Sequence, residues 1–242
     1  MLKGEKIRKS FGDIEILHGI DIQVEPGTIT TIIGPSGSGK SMLLRSLALL
    51  DPPTSGTVFI DEQAITFPRN TPIPTQFAWP RITVVFQQLF LWPHLTIRQN
   101  AVLPLRSRGI LSPEDRVDQI IKEFGISSLA DRFPNEVSLG QRQLGAIARA
   151  LALQPRYLLL DEITSALDIE YVAMILDRLK SLRNRGVGLL LVSHLIDFAR
   201  HSADQIVFLD NGTLVEQGPP TILDNPKSSR LERFLGLVLG AR

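Results

Sequence analysis

The sequence predicts an α/β fold with a mainly parallel core sheet and an α-helical subdomain inserted into it. Residues 28–33 are a β-branched run that stops at Gly34, and residues 157–160 and 188–192 are continuous apolar runs. Runs of this kind are typical of strands that are covered on both faces. Between the first run and the other two, the apolar residues recur at helical spacing. Such a succession of strand and helix patterns favours a parallel sheet with helices packed on it.

The first elements follow in order along the chain. Residues 34–41 join the first strand to an apolar helix at 42–50, and short strands follow at 58–60 and 82–86. The Pro-rich segment 67–80 between those two strands is predicted to be an irregular loop.

The middle of the chain is predicted to be helical. Ser112 and Pro113 mark a helix start, with the serine hydroxyl as the N-cap and the proline in the first turn. Apolar residues at i, i+3, i+4 and i+7 then indicate two helices, one with Val117, Ile120, Ile121 and Phe124, the other with Leu144, Ile147, Ala148 and Leu151. Near the end, residues 205–209 and 213–215 flank an Asp-Asn-Gly turn and are predicted to form a hairpin.

We expect these elements to form one domain. Its core covers about residues 1–87 and 155–226, and the helical subdomain covers about residues 88–154. A short C-terminal helix is predicted at about residues 227–242.

Composition narrows the classes of function. Of the 242 residues, 43% are hydrophobic and 21% are charged, and the net charge of +1 gives no reason to expect a nucleic-acid partner. The absence of cysteine excludes disulfides and thiol chemistry. Residues 1–10 lack the apolar region of a signal peptide, and no apolar run approaches the roughly 18 residues of a membrane span. A role at a membrane would therefore require a partner.

One segment matches the phosphate-binding pattern G-x-x-x-x-G-K-[ST]. Its residues are Gly34, Pro35, Ser36, Gly37, Ser38, Gly39, Lys40 and Ser41. The glycines let successive backbone N–H groups point at phosphate oxygens, and the following helix adds its N-terminal dipole. We expect Lys40 to reach the β- and γ-phosphates of ATP and the Ser41 hydroxyl to ligate Mg²⁺.

A pair of acids ends the predicted strand at 157–160. Asp161 and Glu162 lie at its carboxyl end, where open α/β sheets place their ligands. In combination with the phosphate loop, Asp161 is predicted to hold Mg²⁺ through water and Glu162 to act as general base on the attacking water.

The residues between and after these motifs resemble the ATP-binding subunits of ABC transporters, nearly from end to end. Residues 137–141 (Val-Ser-Leu-Gly-Gln) are similar to the family signature Leu-Ser-Gly-Gly-Gln, and residues 147–151 continue the match. The resemblance implies a P-loop NTPase core with an N-terminal antiparallel β part, and ATP and Mg²⁺ as cofactors.

The resemblance also implies roles for single residues. Gln87 is similar to the glutamine that lines the Mg²⁺ and the water, and His194 is similar to the switch histidine near the γ-phosphate. Phe11 is similar to the aromatic residue that stacks on adenine. Asp168 ends the motif 165–168 (Ser-Ala-Leu-Asp), which looks like the loop that crosses the dimer interface.

In the family, the signature faces ATP that is bound by the opposite subunit. The resemblance therefore implies a second ATPase subunit, identical or different, with Ser138, Gly140 and Gln141 contacting its phosphate. Leu139 stands where the family usually has glycine, and we expect it to crowd the loop or alter its backbone angles and so weaken stimulation across the dimer. Three further departures remove no expected catalytic atom: Met42, Ile163 and Leu195.

Within the family, the chain is most similar to subunits of polar amino acid importers. The similarity lies in residues 9–13, 85–88, 91–96, 198–200, 218–220 and 224–226. It implies transmembrane permease subunits that dock near Leu89 to Leu95 and, indirectly, an external solute-binding protein. The chain would then lie on the cytoplasmic face of the inner membrane, held there by the permease.

Other functions remain open at this point. An ABC exporter, or an importer of another solute, would share every catalytic motif. A soluble ABC-type ATPase unlinked to transport would be expected to carry a coiled-coil insertion or a second ATPase domain, and neither is found. P-loop kinases and GTPases lack the signature at 138–141, and an intact Glu162 disfavours a subunit without turnover.

Overall fold

The computed structural model describes residues 1–164 and 167–240. Within these residues, the strands and helices in chain order are β1 (Leu2–Phe11), β2 (Ile14–Val24), β3 (Ile29–Ile33), α1 (Lys40–Leu47), β4 (Ser55–Ile60), β5 (Gln63–Phe67), β6 (Ile82–Val85), α2 (Ile97–Ser107), α3 (Pro113–Glu123), α4 (Leu139–Ala152), β7 (Tyr157–Asp161), α5 (Ile169–Asn184), β8 (Gly188–Val192), α6 (Ile196–Ser202), β9 (Gln205–Asp210), β10 (Thr213–Gly218) and α7 (Ser229–Gly240). The predicted α/β class is confirmed.

A six-stranded sheet forms the centre of the molecule, in the order β10-β9-β3-β8-β7-β6. All of its neighbouring pairs are parallel except β9 and β10 at one edge. Every residue of β3, β7 and β8 is buried, as their continuous apolar sequences predict. Because side chains alternate along a strand, Leu159 and Leu190 join the core on one face, while Leu158 and Leu189 join the core on the other.

The first of these faces is covered by α1 and by a four-stranded antiparallel sheet in the order β2-β1-β4-β5. Leu2, Val58 and Ile60 of that sheet and Leu43 of α1 are fully buried in the same cluster as Leu159. The antiparallel N-terminal part that the family resemblance implies is thus present. Its strands β1 and β2 were not predicted. Charged residues occur in β1 without regular alternation, and the strand lacks a continuous apolar run.

Three helices, α2 to α4, lie between β6 and β7 in the chain and share the other core cluster with α5. The two periodic patterns fall in α3 and α4, as predicted. The predicted hydroxyl cap of α3 is wrong. Ser112 has a left-handed backbone, with φ of 48°, and its side chain makes no capping hydrogen bond. The boundary of a separate helical subdomain at about residues 88–154 stays a prediction.

Helix α7 packs on the β9 side of the sheet. In α7, which lies inside the predicted C-terminal helix, Leu231, Phe234 and Leu235 are buried against Ile33 and Phe208. Over the described ranges 1–164 and 167–240, no helix is both long enough and apolar enough to cross a bilayer.

Candidate nucleotide site

The phosphate loop connects the carboxyl end of β3 to the start of α1. Gly34, Gly37 and Gly39 all have positive φ angles, of 149°, 78° and 97°, which L side chains rarely adopt. At Gly34 a β-carbon would also lie 2.0 Å from the carbonyl oxygen of Leu209, so the loop can pass β9 only with glycine there. The glycine spacing recognised in the sequence is therefore a steric requirement of this fold.

Lys40 lies across the inside of its own loop. Its ammonium donates to the carbonyl oxygens of Gly34 at 2.9 Å and Pro35 at 2.8 Å, and the residue is buried. Burial lowers the pKa of Lys40, against the opposing effect of the Glu162 and Asp161 carboxylates. An ammonium has three donors, so the two carbonyl bonds aim the group while leaving one donor for a phosphate oxygen.

Ser41 and Asp161 meet at the end of the sheet. The Ser41 hydroxyl donates to Asp161 Oδ1 at 2.8 Å, and Asp161 is buried at the last position of β7. Burial raises the pKa of Asp161, and the Ser41 hydrogen bond acts in the opposite direction. A hydroxyl and a carboxylate in contact are the hard oxygen donors that Mg²⁺ prefers.

The described residues contain no cluster of three or more acidic or histidine side chains that would hold a metal ion alone. Mg²⁺ commonly keeps its waters and binds through one or two carboxylates together with substrate phosphates. The Ser41–Asp161 pair fits that mode of binding.

Glu162 and His194 follow two neighbouring strands. Asp161 of β7 pairs with Val192 of β8, and the Glu162 N–H donates to the Val192 carbonyl at 3.0 Å. This register brings His194 Nε2 against Glu162 Oε1 as a contact pair. Glu162 has a φ of 52°, unusual for a non-glycine residue and typical of positions held by surrounding structure at functional sites.

These groups line one open cleft of about 390 Å³, together with Ile16 and Met42. Of the predicted site residues, the cleft is lined by Ser36, Gly37, Gly39, Lys40, Ser41, Glu162 and His194. Ile16 is not among the predicted site residues. No motif marks it, and it reaches the cleft because β2 runs beside Gly39, whose β-carbon would lie 3.4 Å from the Ile16 carbonyl.

The lining of this cleft does not include the predicted residues Gly34, Pro35, Ser38 and Asp161, nor Phe11, Gln87 and Asp168. Phe11 ends β1 with 49% of its surface exposed, and the Lys9 ammonium lies 5.0 Å from its ring centroid. Gln87 is exposed two residues after β6. Asp168 is the exposed N-cap residue of α5, and its side chain makes no capping bond. Ser165 and Ala166 of the same motif lie outside the described residues.

The signature begins α4. Ser138 is the N-cap: its hydroxyl accepts from the Gln141 N–H at 3.3 Å, and the Gln141 side chain accepts from the Ser138 N–H at 2.9 Å. Gly140 is packed so tightly that a β-carbon would lie 2.7 Å from the ring of Tyr171 in α5. None of these residues lines the phosphate cleft.

Leu139 is the first residue of α4, has a helical backbone and is 38% exposed. The expectation that it alters the backbone angles is therefore wrong, because the first turn of a helix accepts any L residue with ordinary dihedrals. The position that requires glycine here is Gly140, because a β-carbon there would meet the Tyr171 ring. Crowding by the Leu139 side chain toward an opposite nucleotide stays a hypothesis.

A glycine-rich loop and an acid pair that meet at the carboxyl ends of parallel strands define a P-loop nucleotide-binding protein. Residues 17–165 match the family model described as ABC transporter. The chain belongs to this family, as one of its ATP-binding subunits, and is an ATPase.

The chain is similar to known members over its whole length. It is 38% identical to the arginine transport ATP-binding protein ArtM of Bacillus subtilis, over 99% of this chain and 100% of that protein. It is 38% identical to the glutamine transport ATP-binding protein GlnQ of Escherichia coli, over 97% and 98%. A solved dimeric ATP-binding cassette, in a post-hydrolysis state with ADP and Pi, superposes with a TM-score of 0.80 at 33% identity, over 91% of this chain and 99% of that chain.

Proposed function

We propose that this chain is the ATP-hydrolysing subunit of an ABC importer for polar amino acids. The observation that carries the proposal is the single cleft into which Lys40, Ser41, Glu162 and His194 converge. Relatives that match over nearly the whole chain carry names of arginine and glutamine transport, which supports the class of solute.

ATP is the substrate of this cleft. The loop N–H groups and Lys40 would bind its β- and γ-phosphates, and the half-exposed ring of Phe11 would supply a π-face for adenine. Ser41 and Asp161 would hold Mg²⁺, with Gln87 as a further ligand and partly through water. A bound Mg²⁺ would neutralise charge that develops on the phosphates.

Glu162 would accept the proton of the attacking water as the water oxygen bonds to the γ-phosphorus and the bond from that phosphorus to the bridging oxygen of the leaving ADP breaks. His194, which contacts Glu162, would hydrogen-bond the γ-phosphate and hold the water geometry. The left-handed backbone at Glu162 aims the carboxylate from the end of β7 into the cleft, so its direction is set before substrate binds.

Two chains would share two ATP molecules. In each site the opposite chain would contribute Ser138, Gly140 and Gln141, whose helix N-terminus suits an anionic phosphate. Asp168 would lie at the interface. The likeness to a dimeric cassette with ADP and Pi supports this arrangement.

The segment Leu89 to Leu95 would dock the permease. Arg149 of α4 donates to the carbonyls of Leu89 at 2.7 Å and Phe90 at 2.6 Å, which holds the segment against α4. Phe90 is 61% exposed and Trp92 is 43% exposed. Trp92 also lines a mainly apolar cavity of about 280 Å³ beside Arg149. A permease helix in this position would hold the chain at the cytoplasmic face of the inner membrane, opposite the external solute-binding protein.

The test is ATP hydrolysis by the chain alone and by the chain co-purified with its membrane subunits in liposomes. Turnover is expected to rise in the complex, to rise again with binding protein loaded with a polar amino acid, and to vanish in Glu162→Gln. The matched control is Glu62→Gln, an exposed glutamate between β4 and β5, which should hydrolyse normally. Normal hydrolysis by Glu162→Gln would remove Glu162 from the role of base, and stimulation by a sugar but not by amino acids would overturn the solute class.

A further inference from the structure

The start of α7 is bonded to the end of β9. Arg230 donates from Nε and Nη2 to the two carboxylate oxygens of Asp210, at 2.7 and 2.9 Å. Asp210 is buried and is the last residue of β9. A bidentate arginine–carboxylate pair fixes direction as well as distance, because both donors of the planar fork must be aligned.

The turn that follows Asp210 is hydrogen-bonded to the phosphate loop. The Gly212 N–H donates to the carbonyl of Ser38 at 3.1 Å, and the Gly212 carbonyl accepts from the His18 N–H at 2.9 Å. A β-carbon on Gly212 would lie 2.1 Å from the Ile16 carbonyl, so the turn is held between β2 and the loop with no spare room.

A second contact between β9 and the phosphate loop is made by Leu209, the residue before Asp210. The Leu209 carbonyl lies so close to Gly34 that a β-carbon there would be 2.0 Å away. The first residue of the phosphate loop therefore rests on the end of β9, and the fifth rests on the turn that follows β9. A displacement of Asp210 would be transmitted to both.

The helix that carries Arg230 is anchored independently. Glu216 of β10 accepts from the N–H groups of Lys227 and Ser228, at 3.1 and 2.9 Å, and the rings of Phe234 and Phe208 lie 5.1 Å apart. These contacts hold α7 on the sheet without Arg230. The Arg230–Asp210 pair is thus not needed to dock the helix.

We propose that Arg230 is a positioning residue for ATP binding: through Asp210 and the turn at Gly212, it holds the phosphate loop in its binding conformation. The inference rests on the proposed role of that loop. Without Arg230, the buried Asp210 carboxylate would lose its bidentate partner and be drawn toward water, and the turn would move with it. Arg230 itself touches no reacting group.

The test is the dissociation constant of Mg·ATP for the isolated chain, measured by displacement of a fluorescent ATP analogue, with the melting temperature of each variant. Arg230→Gln is expected to raise this constant about fivefold or more, and Arg230→Lys, which keeps the charge but loses the fork, by less. Asp210→Asn should match Arg230→Gln, and the double variant should bind no more weakly than either single variant.

The control is Arg200→Gln, which breaks an ion pair between α6 and Asp224 that does not involve the β9–β10 turn. It should bind ATP as the unaltered chain does. Equal weakening by Arg200→Gln, or unchanged binding in Arg230→Gln, would overturn the proposal, as would additive effects in the double variant. If Arg230→Gln does not fold, Asp210→Asn decides by the same criterion. An unaltered chain that binds ATP no better than Lys40→Ala would overturn the proposed function as well.

Discussion

The phosphate cleft and the signature differ in how their polar groups are satisfied. In the cleft, Lys40, Glu162 and His194 come from different parts of the sheet edge and converge on one open volume. At the signature, Ser138 and Gln141 bond to each other across one helical turn, away from that cleft. The first region is therefore assembled by the fold of a single chain. The second is a helix end whose capping bonds are complete within the chain, and the proposed ligand of this helix end is the nucleotide bound by another chain.

This comparison predicts the largest effect for Ser138→Ala. Loss of one donor to the γ-phosphate of the opposite chain should lower hydrolysis by about 100-fold. ATP-dependent dimerisation in a Glu162→Gln background should weaken with it, while ATP binding by the single chain stays unchanged. Lys40→Ala should instead weaken ATP binding by the single chain, and dimerisation should be lost as a consequence. Hydrolysis rates, sedimentation and nucleotide titration measure the three quantities.

The chain carries its own control for this experiment. Thr96 caps α2 with the same reciprocal bonds to Gln99 that Ser138 makes to Gln141. Thr96→Ala should cost about 1 kcal/mol of stability, as any lost N-cap does, and leave ATP-dependent dimerisation intact. If Thr96→Ala impairs the dimer as much as Ser138→Ala, the effect at the signature is one of helix stability alone.

The sequence predicted the structure best where a short segment determines its own backbone conformation. The spacing of Gly34, Gly39 and Lys40 predicted a loop whose backbone indeed has positive φ at both glycines. The runs that form β7 and β8 predicted buried parallel strands, which are confirmed. In each case the determinant is local, because a turn conformation or a strand buried on both faces leaves its mark in consecutive residues.

Features that depend on distant elements could not be predicted in this way. Ile16 lines the cleft only because β2 pairs with β1 and runs past the loop. The constraint on Gly140 comes from Tyr171, which is about thirty residues away in the chain. Helix α2 lies inside the predicted helical region 88–154 but was not predicted as a separate helix, and it contains Pro104, a residue type that usually disfavours a helix interior. The roles of the individual site residues stay predictions.

Gly140→Ala is expected to have the next largest effect. The new methyl group would meet the Tyr171 ring, and overpacking of this kind lowers the free energy of unfolding by about 1–3 kcal/mol. The start of α4 should move away from α5, so ATP-dependent dimerisation should weaken too. Thermal or urea unfolding and sedimentation measure the two effects.

Two further variants show whether Tyr171 is the cause. Gly236→Ala in α7, where a β-carbon would meet nothing within 4 Å, should instead stabilise the chain by up to about 1 kcal/mol. Tyr171→Leu combined with Gly140→Ala should recover part of the loss. A Gly140→Ala chain as stable as the unaltered one would show that this packing does not constrain the signature.

Leu139→Gly should give the smallest change and the most direct information on the departure from the family pattern. Since Leu139 has a helical backbone and an exposed side chain, its replacement relieves no strain within the chain and costs about 0.5–1 kcal/mol of stability. A higher rate of ATP hydrolysis in Leu139→Gly must then come from closer contact with the opposite chain and its nucleotide. We expect ATP turnover in the assembled transporter to rise about two- to fivefold, with ATP binding by the isolated chain unchanged.

Leu103→Gly, at an equally exposed leucine of α2, should lose stability without gaining turnover. Unchanged turnover in Leu139→Gly would mean that the side chain does not crowd the opposite nucleotide, and that the signature acts through Ser138, Gly140 and Gln141 alone.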